Sequence, residues 1–199
     1  MNDVSNDKTV SDSGSENQKL TLFGGDRRIT QSKLDEITSK CDSALETIIR
    51  PLAKVTDFRV TSEVENSFDI FEWIFSIENQ GKTTPFAYIS ARNSGMAVKI
   101  KKLRVANALQ RKGIGTEILN SLRQLVEMAG FTNLMTEIED PGNPKGIKKV
   151  RIESILGLKS QGSAAASVRR MTDFFAKQGF KSLPVFAQES GMILNLEKK

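Results

Sequence analysis

The chain has 199 residues, 38% of them hydrophobic and 27% charged, with a formal charge of +5 from 29 Lys and Arg against 24 Asp and Glu. At about 150 residues per domain this composition fits one globular domain with an appendage, and it excludes a repeat array or a collagen-like chain. The sequence contains no histidine, which removes Ser-His-Asp and Cys-His mechanisms, His-ligated zinc and any imidazole base. The single cysteine, Cys41, leaves no disulfide within the chain and no cysteine-ligated metal, so no metal site is expected. No stretch approaches the roughly 20 apolar residues that span a bilayer, and the first twenty residues lack the apolar core of a signal peptide. A cytoplasmic protein without a membrane partner is the expectation, and the mild positive charge favours a polyanionic partner.

Residues 1–19 are rich in Ser, Asn and Asp, and so are expected to form a disordered leader to a single domain over 20–199. Thr30 is placed to cap a helix on which Leu34, Ile37, Cys41, Leu45, Ile48 and Ile49 recur at helical spacing up to Pro51. On that stripe Cys41 reads as a small core residue. Four strands follow at Val55–Thr61, Phe68–Glu78, Phe86–Arg92 and Met96–Val105. Turn signals at Glu65-Asn66-Ser67, Asn79-Gln80-Gly81 and Asn93-Ser94-Gly95 make them an antiparallel meander. Beyond them the pattern predicts a helix over Gly113–Ala129, a strand over Phe131–Ile138, a helix over Ala164–Gln178, and short strands at Phe180–Val185 and Met192–Leu196. The fold class is α+β, with a mixed, mostly antiparallel sheet flanked by helices.

The most informative stretch is Leu103 to Thr116, where a strand enters a short loop that opens an amphipathic helix at Gly113-Ile114-Gly115. Glycine there lets a ligand approach the backbone, and the first helical turn presents unpaired N–H groups and the positive end of the helix dipole. An anion site for phosphate follows, reinforced by Arg111 and Lys112; tight helix–strand packing would explain the same glycines. The spacing matches neither a Walker A loop nor a G-x-G-x-x-G fingerprint.

Gln110-Arg111-Lys112-Gly113-Ile114-Gly115 resembles the Q/R-x-x-G-x-G/A signature of the GNAT (Gcn5-related) N-acetyltransferases, preceded in register by Leu103 and Val105 at the strand end. Phe174-Phe175-Ala176-Lys177-Gln178-Gly179-Phe180 resembles that family's Tyr-Glu-Lys-x-Gly-Phe segment, and the two lie in the expected order over roughly 55–199. The resemblance implies a GNAT-like fold with acetyl-CoA as cosubstrate and no metal. Backbone groups of Leu103, Arg104 and Val105 would hold the pantetheine arm and the acetyl carbonyl. Gln110 lies in the signature, and the amides from Arg111 through Lys112, Gly113, Ile114 and Gly115 to Thr116 would hold the pyrophosphate. Phe175 and Lys177 would approach the cofactor, Lys177 near the ribose phosphate.

Two positions depart from the family. Phe175 stands where its general-acid tyrosine is expected, and no carboxylate lies between Met96 and Arg111, where many members carry a glutamate base. Glu137 and Glu139, on one face of the following strand by alternation, are candidate bases, and Tyr88, the one tyrosine, is a candidate acid. Charge is also divided: 57–80 carries net −5 and 144–181 net +7, the latter including what looks like a basic insertion over 140–163. The expected activity is transfer of an acetyl group from acetyl-CoA to a primary amine by direct attack. The alternative is a GNAT-fold binding module with weak or no catalysis, docking nucleic acid or a protein partner through the basic segment.

Overall fold

The structure is a computed structural model that describes residues 19–23, 28–67, 69–137, 156–158, 168–183 and 191–196. Two short strands, β1 (Lys19–Thr21) and β2 (Arg28–Thr30), pair antiparallel and lead into α1 (Gln31–Ile49). The Thr30 hydroxyl accepts the Lys33 amide at 3.3 Å, which satisfies one of the amides a helix start leaves unpaired. Leu34, Ile37, Cys41, Leu45 and Ile49 form the buried stripe, and Pro51 follows the last turn. Then come β3 (Arg59–Ser67), β4 (Ile70–Asn79), β5 (Lys82–Ser94), β6 (Ala97–Val105), α2 (Ile114–Met128), β7 (Asn133–Glu137), α3 (Val168–Lys177), β8 (Lys181–Ser182) and β9 (Gly191–Asn195).

Seven strands form one sheet in the order β3-β4-β5-β6-β7-β9-β8. Only the β6–β7 contact is parallel; every other neighbouring pair is antiparallel. This is the expected mixed, mostly antiparallel α+β arrangement. One face of the meander carries Phe71, Trp73, Phe75, Ile89, Ala91 and Ile100, which join the apolar stripes of α1 and α2 in a single core. Cross-strand register assigns Glu72, Ile74, Tyr88, Lys102 and Arg104 to the opposite face, where all five keep some exposure.

The first strand of the meander differs from the expected Val55–Thr61. It begins at Arg59 and runs through Glu65-Asn66-Ser67, so that this polar triplet pairs with β4 instead of turning. Asn66 explains why: its side-chain amide donates to the Thr21 carbonyl at 2.7 Å and its oxygen accepts the Phe23 amide at 3.3 Å. Asn93 makes a matching bond to the Phe23 carbonyl at 2.6 Å, so two side chains that resemble turn signals instead hold the N-terminal segment on the sheet. Lys19 belongs to β1; the rest of the expected leader lies outside the described residues. Of the expected basic insertion only Leu156 to Leu158 is described, and Leu156 is a core residue whose carbonyl accepts the Lys54 amide at 2.9 Å.

Along the outer strand β3, a polar cleft of about 380 Å³ is lined by α1 residues including Asp35, Asp42 and Glu46. Glu46 accepts the Val60 amide at 3.1 Å, which covers part of an otherwise open strand edge. Burial pushes the Asp42 carboxyl up to about 6, against the opposing pull of the Ser62 hydroxyl and amide. The folded state therefore binds a proton more tightly than the unfolded chain, and this site's contribution to stability is lost as pH rises from about 4 to about 6. Asp42→Asn should raise stability above pH 6 by about 1 kcal/mol after allowance for solvent screening. Urea unfolding at pH 4 and pH 7 should show the gain only at the higher pH.

Candidate functional site

Among the described residues, the sheet divides at β6. That strand stays paired with β5 through Val105, with one irregularity: Ala91 pairs Ile100 and Ser90 pairs Lys102, so Lys101 is the extra residue of a β-bulge. On its other side β6 pairs with β7 only from Ala97 to Ile100. Among the described residues, Leu103, Arg104 and Val105 therefore have no strand neighbour on that flank. Beyond Val105 the Ala106 amide donates to the Phe86 carbonyl at 2.7 Å, which keeps the chain on β5, and a turn of 3₁₀ helix over Asn107–Leu109 redirects it toward α2.

The loop between them is held by Gln110, whose side-chain amide donates to the Val105 carbonyl and to Asn107 Oδ1, both at 3.0 Å. Arg111 (φ 60°) and Gly113 (φ 89°) both adopt the left-handed conformation, a backbone form that turns successive amides toward one point. No side chain caps α2, and its first internal bond is Glu117 N–H to Gly113 O at 3.0 Å. The amides of Ile114, Gly115 and Thr116 thus open the helix without helical partners, and Arg111 and Lys112 stand exposed beside them. Such an arrangement suits an anion, with the positive end of a helix dipole behind the amides.

The two glycines have different reasons. At Gly113 a Cβ would meet nothing within 4 Å, and it is the positive φ that selects glycine. At Gly115 a Cβ would meet the Phe174 ring at 3.6 Å and Val105 Cγ2 at 3.9 Å, which is ordinary contact. Tight packing therefore requires neither of them, and the packing explanation open at the sequence level loses its basis.

From α3, Phe174 reaches Gly115, and the Gln178 side-chain amide donates to the Thr116 hydroxyl at 3.4 Å. Phe175 is 1% exposed, stacked edge-on between Phe174 and Phe180 with centroids 5.1 Å from each. It backs the wall of the site while Phe174 lines it, because a helix turns the residue next to a lining position toward the core. Lys177 is exposed at the end of α3. Glu137 is the last residue of β7, opposite Gly191, and Glu139 lies outside the described residues. Tyr88 stands opposite Arg104 on β5, and its hydroxyl donates to Glu72 Oε1 at 2.6 Å. Glu72 is the group that sequence reasoning missed: alternation gives its face of β4, but only the register brings it to Tyr88. Cys41 is fully buried, and desolvation pushes its thiol up to about 12, so it is no nucleophile.

Among the described residues no helix is long and apolar enough to cross a membrane, and no group of three or more Cys, Asp and Glu is placed to hold a metal ion.

No family model matches the chain, and no curated protein sequence is similar to it. Solved structures are. The PaiA N-acetyltransferase of Thermoplasma acidophilum, in complex with coenzyme A, is 14% identical with a TM-score of 0.42, and the match covers 64% of this chain and 62% of that one. This chain therefore spans less than two thirds of the PaiA chain. A GNAT-family protein of Desulfovibrio desulfuricans is 14% identical over 65% of this chain and 70% of its own, with a TM-score of 0.40. An aminoglycoside 6'-N-acetyltransferase complexed with coenzyme A is 17% identical over 64% of this chain and 74% of its own, with a TM-score of 0.43.

Gly113 and Gly115, two residues apart, should respond differently to alanine. Gly113→Ala should cost about 1–2 kcal/mol because alanine resists the left-handed region. Gly115→Ala should leave stability unchanged or slightly higher, since alanine is the better helix former. Denaturant midpoints of the two variants check both.

Proposed function

We propose that the chain transfers an acetyl group from acetyl-CoA to a primary amine. The observation that carries this reading is the meeting of two unpaired backbone features at one place: the open flank of Leu103–Val105 beyond the bulge, and the amide cradle at the start of α2. The residues present fit such a cosubstrate, because no side chain caps the first amides of α2 and nothing lies within 4 Å of the Cβ position at Gly113.

When bound, acetyl-CoA supplies a thioester carbon open to attack by an amine. Each part of the chain then has a task. The amides from Arg111 to Thr116 hold the pyrophosphate, with the charges of Arg111 and Lys112 behind them. Gln110 fixes the loop, and its grip on the Val105 carbonyl keeps the strand end in place. Backbone groups of Leu103, Arg104 and Val105 take up the amides of the pantetheine arm and polarise the acetyl carbonyl. Phe174 forms the apolar wall, seated on Phe175, and Lys177 serves the ribose phosphate. Glu137, at the end of β7, and Glu139 remain proposed proton acceptors. The acidic face of β3 and β4, with Glu63, Glu65 and Glu72, suits a cationic acceptor such as an alkylamine or a lysine side chain.

Calorimetric titration with acetyl-CoA and thiol release across a panel of primary amines test this reading. Acetyl-CoA should bind and raise the Tm, with an affinity that falls as salt rises, and at least one amine should support turnover. Gly115→Val, whose branched side chain would press on Phe174 and Val105 beside the amides, should weaken acetyl-CoA binding tenfold or more, about 1.4 kcal/mol. Binding without turnover of any amine would favour the binding-module reading, and absence of binding would overturn both.

A further inference from the structure

We propose that Tyr88 and Glu72 form a proton exit for the acceptor amine, in which the Tyr88 oxygen receives the amine's proton while its own passes to Glu72. This inference rests on the acetyl-transfer reading above and gives it the proton acceptor that β6 lacks.

The direction follows from the hydrogen bond. Tyr88 donates to Glu72 Oε1 at 2.6 Å, so its one proton is already committed to a carboxylate, and what its oxygen has left to offer is a lone pair. A hydroxyl so arranged receives a proton more readily than it gives one to a leaving thiolate. The expected role of Tyr88 as an acid is thereby reversed. Its titration agrees: burial, and next the bond to Glu72, raise the pKa of the phenol, against the opposing effects of Ser90 and the Arg104 charge.

Position supplies the second argument. Tyr88 is paired with Arg104, the middle residue of Leu103–Val105, so its backbone lies one strand spacing, about 4.8 Å, from the backbone that would polarise the acyl group. Glu72 lies one strand further out, diagonal to Tyr88, where a long side chain still reaches across. On the same face Glu65 is directly opposite Glu72, an arrangement of like charges that costs stability and that a cationic acceptor would relieve. Arg104 and Lys102 bound the face on the β6 side, so an ammonium group is drawn toward β4 and not along β6. The proton count closes: one proton leaves the acceptor nitrogen for Tyr88 Oη, one leaves Tyr88 for Glu72 Oε1, and Glu72 returns it to solvent. The nitrogen is left with a free electron pair for attack. Tyr88 is the residue that meets the acceptor, and Glu72 acts through it as a positioning residue.

Tyr88→Phe, Glu72→Gln and the double variant test this, each measured for acetyl-CoA affinity, thiol release and pH dependence. Both single variants should lose about 10²–10³ in kcat with acetyl-CoA affinity within twofold of wild type. The double variant should be no slower than the slower single, because the two groups act in series. The loss should shrink with a weakly basic amine, which is already neutral at pH 7, and should shrink for strongly basic amines as pH rises. Rates within threefold of wild type in both variants would overturn the relay and leave the acetyl-transfer reading standing. An equal loss for weakly and strongly basic amines at every pH would mark the pair as structural and overturn it too. A wild-type chain that binds acetyl-CoA and turns over no amine would remove the enzyme reading and the relay with it.

Discussion

Among the described residues, strand β6 has two neighbours and keeps only one of them to its end. It follows β5 to Val105 but pairs with β7 only as far as Ile100, and the bulge at Lys101 follows directly. A strand edge exposes amides and carbonyls that must be satisfied by something, since leaving a buried one unpaired costs on the order of 1–3 kcal/mol. Here the protein answers part of that demand itself, with Gln110 on the Val105 carbonyl. The remainder is the surface proposed to meet the acyl group and its pantetheine arm. The amide cradle of α2 has its place because the chain leaves β6 at this end.

Such a site works only if the strands beneath it do not move. Strand β4 secures them: Trp73 and Phe75 pack at 4.8 Å between ring centroids, and Phe71 meets Trp73 edge-on at 6.2 Å. Phe23 bridges Phe71 and Phe131 at 5.1 and 5.4 Å, which ties the N-terminal segment to the junction of α2 and β7. Asn66 and Asn93 fasten the backbone on either side of that ring. A functional surface of backbone groups thus stands on rigid elements instead of on a mobile loop.

How much of this was legible in the sequence depends on whether the signal is local. Helix α1 with its Thr30 cap, helix α2 and most of the strands follow from periodicity and turn residues. Where a side chain's partner lies far along the chain, local pattern fails. Asn66 resembled a turn residue because its partners, Thr21 and Phe23, lie more than forty residues away. Phe175 carried the family-like position, yet rotation about α3 sends it inward and brings Phe174 to Gly115. Glu72 looked like one acid among six between Asp57 and Gln80, and only strand register joins it to Tyr88.

The absence of histidine gives that register its importance. A chain without imidazole must move protons with carboxylates, phenols or water, and β6 itself offers Lys99, Lys101, Lys102 and Arg104 but no carboxylate. Positive charge on β6 suits a strand that borders a phosphorylated ligand, but it repels an ammonium acceptor and holds no base. The negative charge therefore has to lie elsewhere on the same face, close enough to serve yet screened from the anion cradle. A carboxylate on β4, two strands from the open flank and linked to it by a phenol on β5, meets both conditions. Under the acetyl-transfer reading, the division between acidic and basic regions in the sequence becomes, on this face of the sheet, a separation between the place proposed for an amine and the place proposed for a phosphate.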